Sequence, residues 1–94
     1  MVKYKKQFKI MLEENEFIFK EFKLIHDEFV ANRKEREEFD EKGGKVLRII
    51  RRYEDMLCAK SENSGFGRYS ENLSEKFWEE VRSYFPRIDD ITLQ

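Results

Sequence analysis

Proline occurs once, at Pro86, cysteine once, at Cys58, histidine once, at His26, and glycine four times in the 94 residues. Each scarcity excludes something. So little Pro and Gly does not supply the tight turns of a sheet protein. A single cysteine forms no internal disulfide, so an intracellular, cytoplasmic chain is the expectation. Cys58 follows Leu57 at the end of an apolar stripe and reads as a quiet, partly buried thiol. One His and one Cys, 32 residues apart, make no zinc site of any usual spacing. His26 sits among Glu14, Glu21, Asp27 and Glu28, but helical spacing does not converge these side chains, so no metal and no cofactor is expected. No nucleophile stands at triad spacing from His26, and no phosphate-loop, dinucleotide or calcium-loop motif occurs. The expectation is a non-enzymatic protein. No apolar run approaches the roughly 18 residues of a membrane span, and the basic start, MVKYKKQFKIML, has its lysines interleaved at helical spacing, unlike a signal peptide.

Charge and aromatics are what the chain has instead. Charged residues make up 41% and hydrophobic residues 39%, with nine Phe, four Tyr and one Trp available to build a core. Lys and Glu richness favours helix, so the predicted class is all-α and the chain length suits a single helical domain over residues 1–94. Net charge is only −1, but its distribution is blocked. Residues 1–12 are basic, 13–41 acidic, 42–60 basic and the remainder mildly acidic. Such blocks can pair within one fold or across two copies of it.

Periodicity gives the elements. Tyr4, Phe8, Met11, Asn15, Ile18, Phe22, Ile25 and Phe29 step alternately by four and three, which turns one helical face toward a partner. Asn15 is the doubtful position on this stripe, because it could cap a new helix starting at Glu16. Phe17 and Phe19 fall off the stripe and widen the apolar surface there. A second stripe runs Phe39, Gly43, Val46, Ile50, Tyr53, Leu57. The pair Gly43-Gly44 ends a helix and starts another, or else lies inside one helix where a neighbour passes close. Between Ala31 and Val46 the only large apolar residue is Phe39. A third segment, LSEKFWEEVRSYF, places Leu73, Phe77, Val81, Tyr84 and Phe85 on one side, with Asn72 as N-cap and Glu75 completing a capping box. Pro86 stops it, leaving a short tail over 86–94 whose Ile88 could pack back.

The predicted architecture is a helical hairpin plus a shorter third helix, a three- to four-helix bundle. A short third helix covers only half of a long hairpin. The surplus apolar surface is then buried either by a fold-back at Asn15 or in a homodimer, and self-association is the expectation.

Two candidate binding features remain. The first is a basic strip: Lys45, Arg48 and Arg52 opposite the second stripe, Arg51 at its edge, then Lys60 and Arg68. Arginines spaced along an exposed helix can each neutralise a phosphate. Against that use, Glu41 precedes Lys45 by four residues and Asp55 follows Arg51 by four, the layout of intrahelical ion pairs. The second is the polar interval 61–72, where Ser64, Gly65, Phe66, Gly67, Tyr69 and Ser70 could form an anion-binding loop with Arg68, or a packed connector whose rings plug the bundle end. The connector reading is preferred. A small-ligand pocket around Arg68, Tyr69 and Trp78 is a third, remote reading. The expected function is a protein–protein interaction or adaptor module whose partner is another protein or itself, with no membrane; the alternative is a nucleic-acid-binding module using Lys45 to Arg52 and the glycine-containing interval.

Overall fold

The computed structural model describes residues 2–32, 36–62 and 67–91; for residues 32, 60–62 and 67–71 it describes the backbone alone. Among these residues there are four helices and no strand: α1 (Lys3–Glu14), α2 (Glu16–Asn32), α3 (Arg36–Glu62) and α4 (Gly67–Tyr84), followed by one 3-10 turn, Ile88–Asp90. The all-α class and the bundle architecture follow.

The chain breaks at Asn15, but the break is a bend in a rod and not a fold-back. Asn15 takes a non-helical conformation (φ −125°, ψ 35°). Its backbone N–H and its side-chain Nδ2 both donate to the Met11 carbonyl, at 3.1 and 2.9 Å. The asparagine side chain thus satisfies the end of α1 while the next helix begins at Glu16. Both helices then lie along α3. Gln7 Nε2 donates to the Tyr53 carbonyl at 3.1 Å, and Lys42 pairs with Glu21 at 3.0 Å.

The two predicted stripes face each other across this hairpin. Met11, Phe22, Ile25 and Phe29 are buried on one side; Phe39, Val46, Ile50, Tyr53 and Leu57 on the other. Phe39, the lone large apolar residue at the start of α3, is fully enclosed, stacked on Phe29 with ring centroids 4.1 Å apart and on Phe22 at 5.6 Å. Aromatic pairs of this kind add ~0.5–1.5 kcal/mol to the burial itself, which is how one residue anchors two turns of polar helix.

Helix α3 runs through Gly43-Gly44 without a turn. A methyl group added at Gly43 would stand 2.5 Å from Cδ1 of Ile91, so the glycine is where the C-terminal segment crosses α3.

Helix α4 is longer than expected. It starts at Gly67, so Asn72 lies inside it and is no N-cap, and α3 already carries Ser61 and Glu62. Of the predicted loop over 61–72, the described residues, 61–62 and 67–72, are therefore helical. The physical reason is the apolar phase, since Tyr69, Leu73 and Phe77 step by one turn each and extend the stripe upstream. Phe77 packs edge-on against Phe8, and Phe85 meets Phe19 and Phe22.

The half of the hairpin beyond α4 is covered by the chain itself. After Pro86 the segment returns across α2 and α3, Ile88 is buried, Arg36 Nη2 donates to the Asp90 carbonyl at 2.9 Å, and Ile91 sits on Gly43. The surface that suggested a homodimer on sequence grounds is thus closed internally.

Candidate functional site

The basic strip lies on α3. With about 100° between successive residues of a helix, Tyr53, Lys42 and Phe39 point to α1 and α2, Leu47 and Glu54 to α4, and Lys45, Arg48 and Arg52 to solvent. All three are exposed, as is Arg51. The seven steps from Lys45 to Arg52 span ~10 Å of helix. Neither Glu41–Lys45 nor Arg51–Asp55 forms: among the described residues none of Lys45, Arg48, Arg51 and Arg52 has a carboxylate within 4.0 Å. This corrects the paired-face reading. Holding two exposed side chains together gains ~0–1 kcal/mol, which side-chain entropy cancels.

Arg51 stands apart from the other three. With Trp78, Arg82, Asp89, Leu47, Ile88 and Ile91 it lines an open groove of about 280 Å³ between α3, α4 and the C-terminal segment. Trp78 Nε1 donates to Glu54 at 2.7 Å, and the Ser74 hydroxyl donates to the same carboxylate. The Arg82 guanidinium lies 5.6 Å from the Trp78 ring and donates to Asp89 at 2.9 Å, a bond that raises the guanidinium above its ordinary pKa.

Of the other predicted residues, Lys60 lies in α3 and Gly67, Arg68, Tyr69 and Ser70 in the first turn of α4; their side chains are outside the description. Ser64, Gly65 and Phe66 lie outside the described residues altogether. The pocket centred on Trp78 is walled by Arg51 and Arg82.

Two features were not read from the sequence as sites. The first is the outer face of α2. Phe17 is 93% and Leu24 69% exposed, two turns apart on one line, with the acids Glu21 and Glu28 between and beyond them. Phe17 being off the inner stripe was the signal available. The second is His26, buried to 2% exposure against Phe22, Phe39 and Phe85. Its Nε2 accepts the Arg87 backbone N–H at 3.1 Å, and its Nδ1 donates to Asp27 Oδ1 at 3.1 Å. A backbone N–H only donates, so Nε2 is bare and the ring neutral. Both nitrogens are engaged: Nε2 holds the C-terminal segment and Nδ1 the neighbouring Asp27 of α2. That bond to His26, followed by burial acting the other way and by Lys23, sets Asp27 below the ordinary carboxylate range. Among the described residues no three His, Cys, Asp or Glu side chains converge as metal ligands, and no helix is long and apolar enough to cross a membrane.

Compared with protein-family models, with curated proteins and with solved structures, the chain matches none.

Proposed function

We propose that the chain is a small, non-enzymatic interaction module that binds a protein partner, another chain or its own, through the outer side of the α2–α3 hairpin. One observation carries this reading. Phe17 and Leu24 stand in solvent on a rigid helix whose inner face is fully occupied by its own core. Apolar side chains left out in this way are what an amphipathic partner helix buries, with anchors at helical spacing. The acids Glu21 and Glu28 beside them select a partner with basic flanks.

The test compares the wild type with Phe17→Ser/Leu24→Ser as bait for its own untagged copy and for cellular proteins, each capture then repeated with the purified candidate. A purified protein that binds the wild type and loses at least about tenfold in affinity for the double variant supports the reading. Equal binding of every captured protein by both baits refutes it.

The second reading, nucleic-acid binding, is supported by the four exposed cations Lys45, Arg48, Arg51 and Arg52, none of which has an ion pair among the described residues. It predicts anisotropy of labelled mixed-sequence DNA or RNA that falls steeply with salt and weakens in Arg48→Ala/Arg52→Ala. Unchanged affinity in that variant removes it.

A further inference from the structure

We infer that the partner of the outer hairpin face is a second copy of the chain, packed about a two-fold axis that runs along the hairpin, with α2 of each copy lying antiparallel on α3 of the other. The inference rests on the interaction-module reading and names its partner.

The first step is that the outer stripes of α2 and α3, exposed apart from the half-buried Ile49, share one side of the molecule. On α2, Phe19 and His26 face α4 and the C-terminal segment, and Phe22 and Phe29 face α3. At about 100° per residue, Phe17, Glu21, Leu24 and Glu28 lie half a turn round from Phe19 and His26. On α3, Glu54 faces α4 and Tyr53 faces α1. Lys45, Ile49, Arg52 and Met56 again lie about half a turn round from the α4 side. The Lys42–Glu21 pair, 3.0 Å across the hairpin, joins the two stripes at their common edge. The two together form one face, opposite α4.

The second step is that the stripes are complementary. Continued back through Ile10 and Glu14, the first reads Ile10, Glu14, Phe17, Glu21, Leu24, stepping four, three, four, three. The second reads Lys42, Lys45, Ile49, Arg52, Met56, stepping three, four, three, four. Both alternate apolar with charged residues, and the charges are opposite in sign. Lys45 and Arg52 have no ion pair within their own chain among the described residues.

The third step is the register. Within one copy Lys42 pairs with Glu21, while Tyr53 meets Gln7 through its carbonyl and Asn15 through its hydroxyl, which brackets the level of α3 along α1 and α2 to within about two turns. A two-fold axis along the hairpin preserves height, so each residue of α3 meets, in the second copy, the level it meets in its own. Within that bracket, the register that sets unlike charges together brings Lys45 of the second copy to Glu21, Ile49 to Phe17, Arg52 to Glu14 and Met56 to Ile10, while Leu24 lies on the stem of Lys42. Every contact is apolar on apolar, acid on base, or apolar on an aliphatic stem, and symmetry makes each of them twice. A shift by one heptad keeps the signs but displaces the copies by ~10 Å along the axis, which a closed two-fold does not allow. Stable interfaces bury about 800 Å² per partner, an area that a long side of a molecule measuring 46 × 24 × 19 Å accommodates.

The experiment is sedimentation equilibrium on the whole chain, with far-UV circular dichroism as the check of fold. The wild type is expected to dimerise. Phe17→Ser, which alters a side chain 93% exposed in the monomer, is expected to weaken the dimer at least about tenfold without changing the melting temperature. Glu21→Lys and Lys45→Glu are each expected to weaken it by a similar factor, and the two reversals in one chain to recover most of that loss relative to Glu21→Lys alone. A wild type that stays monomeric at about 0.5 mM overturns the second copy as partner, leaving the interaction-module reading to the capture experiment above. A dimer indifferent to Phe17→Ser, or reversals that do not rescue one another, overturns this face and register.

Discussion

The Tyr53 hydroxyl on α3 donates to Glu14 Oε1 at 2.6 Å and accepts from Asn15 Nδ2 at 3.2 Å, so one side chain holds the end of α1 and the joint that follows it. The bend is therefore set from α3 as well as by the local chain. Tyr53→Phe keeps the ring in its buried place and removes both bonds. The expected cost is about 1 kcal/mol, the net worth of a part-buried hydrogen bond, read from denaturant unfolding at pH 7. A Phe variant as stable as the wild type would show that water replaces the hydroxyl without loss.

The same pair gives an alkaline signature. The Glu14 carboxylate that accepts the phenolic proton, and then burial, hold Tyr53 above the ordinary tyrosine pKa. The folded state therefore keeps this proton after the unfolded chain has lost it, near pH ~10. The associated stability is fully present below that pH and is lost as pH rises through the raised folded value. Wild type is expected to lose more stability than Tyr53→Phe between pH 9 and 11. Parallel curves for the two proteins would contradict the assignment.

Gly43 and Ile91 make a prediction about a double variant. Alanine in a helix interior is worth about 1 kcal/mol over glycine, but at Gly43 the new methyl would meet Ile91 at 2.5 Å. In the wild-type background Gly43→Ala should fail to stabilise. Combined with Ile91→Ala, it should stabilise by about 0.5–1 kcal/mol relative to Ile91→Ala alone. Thermal melts of the four proteins close the cycle, and additivity would mean that the C-terminal segment does not press on α3.

The helices and their inner faces were legible because burial repeats with the helical period. Phe22, Phe39, Val46, Ile50, Phe77 and Val81 are all enclosed where periodicity put them. The start of α4 lies earlier than glycine and asparagine, as local punctuation, imply, because the Tyr69–Leu73–Phe77 phase runs through them. What covers the far half of the hairpin was not legible in kind. Ile88 could be suspected, but the bond from the Arg87 N–H to His26 joins residues 61 apart, and no local pattern reports it. On the basic strip the sequence offered both paired and unpaired states; Arg51–Asp55 has the right spacing, and only coordinates show that the side chains part. Phe17 was legible as anomalous and no further, since periodicity says which residues leave the core and not whether anything meets them.

His26 and Arg87 supply the last prediction. The ring accepts the Arg87 backbone N–H, and that bond pins Pro86–Ile91 over the junction of Phe22, Phe39 and Phe85. His26→Leu fills the same apolar site but offers no acceptor, so it should cost about 1–3 kcal/mol, the range for leaving a donor unsatisfied. His26→Gln keeps a carbonyl oxygen in reach and should lose less. The informative readout is local: amide hydrogen exchange at Arg87 and Ile88 should accelerate in the Leu variant while amides of α3 around Ile50 change only with global stability. The same substitution removes the Nδ1–H donor from Asp27, whose depressed carboxyl should return toward the ordinary range and give up the stability that the wild type loses as pH falls through it. Because Asp27 is 58% exposed, that acid-side difference is small. Carboxyl chemical shifts during an acid titration report it directly. Unchanged exchange at Arg87 together with an unmoved Asp27 would show that His26 packs in the core without latching the segment.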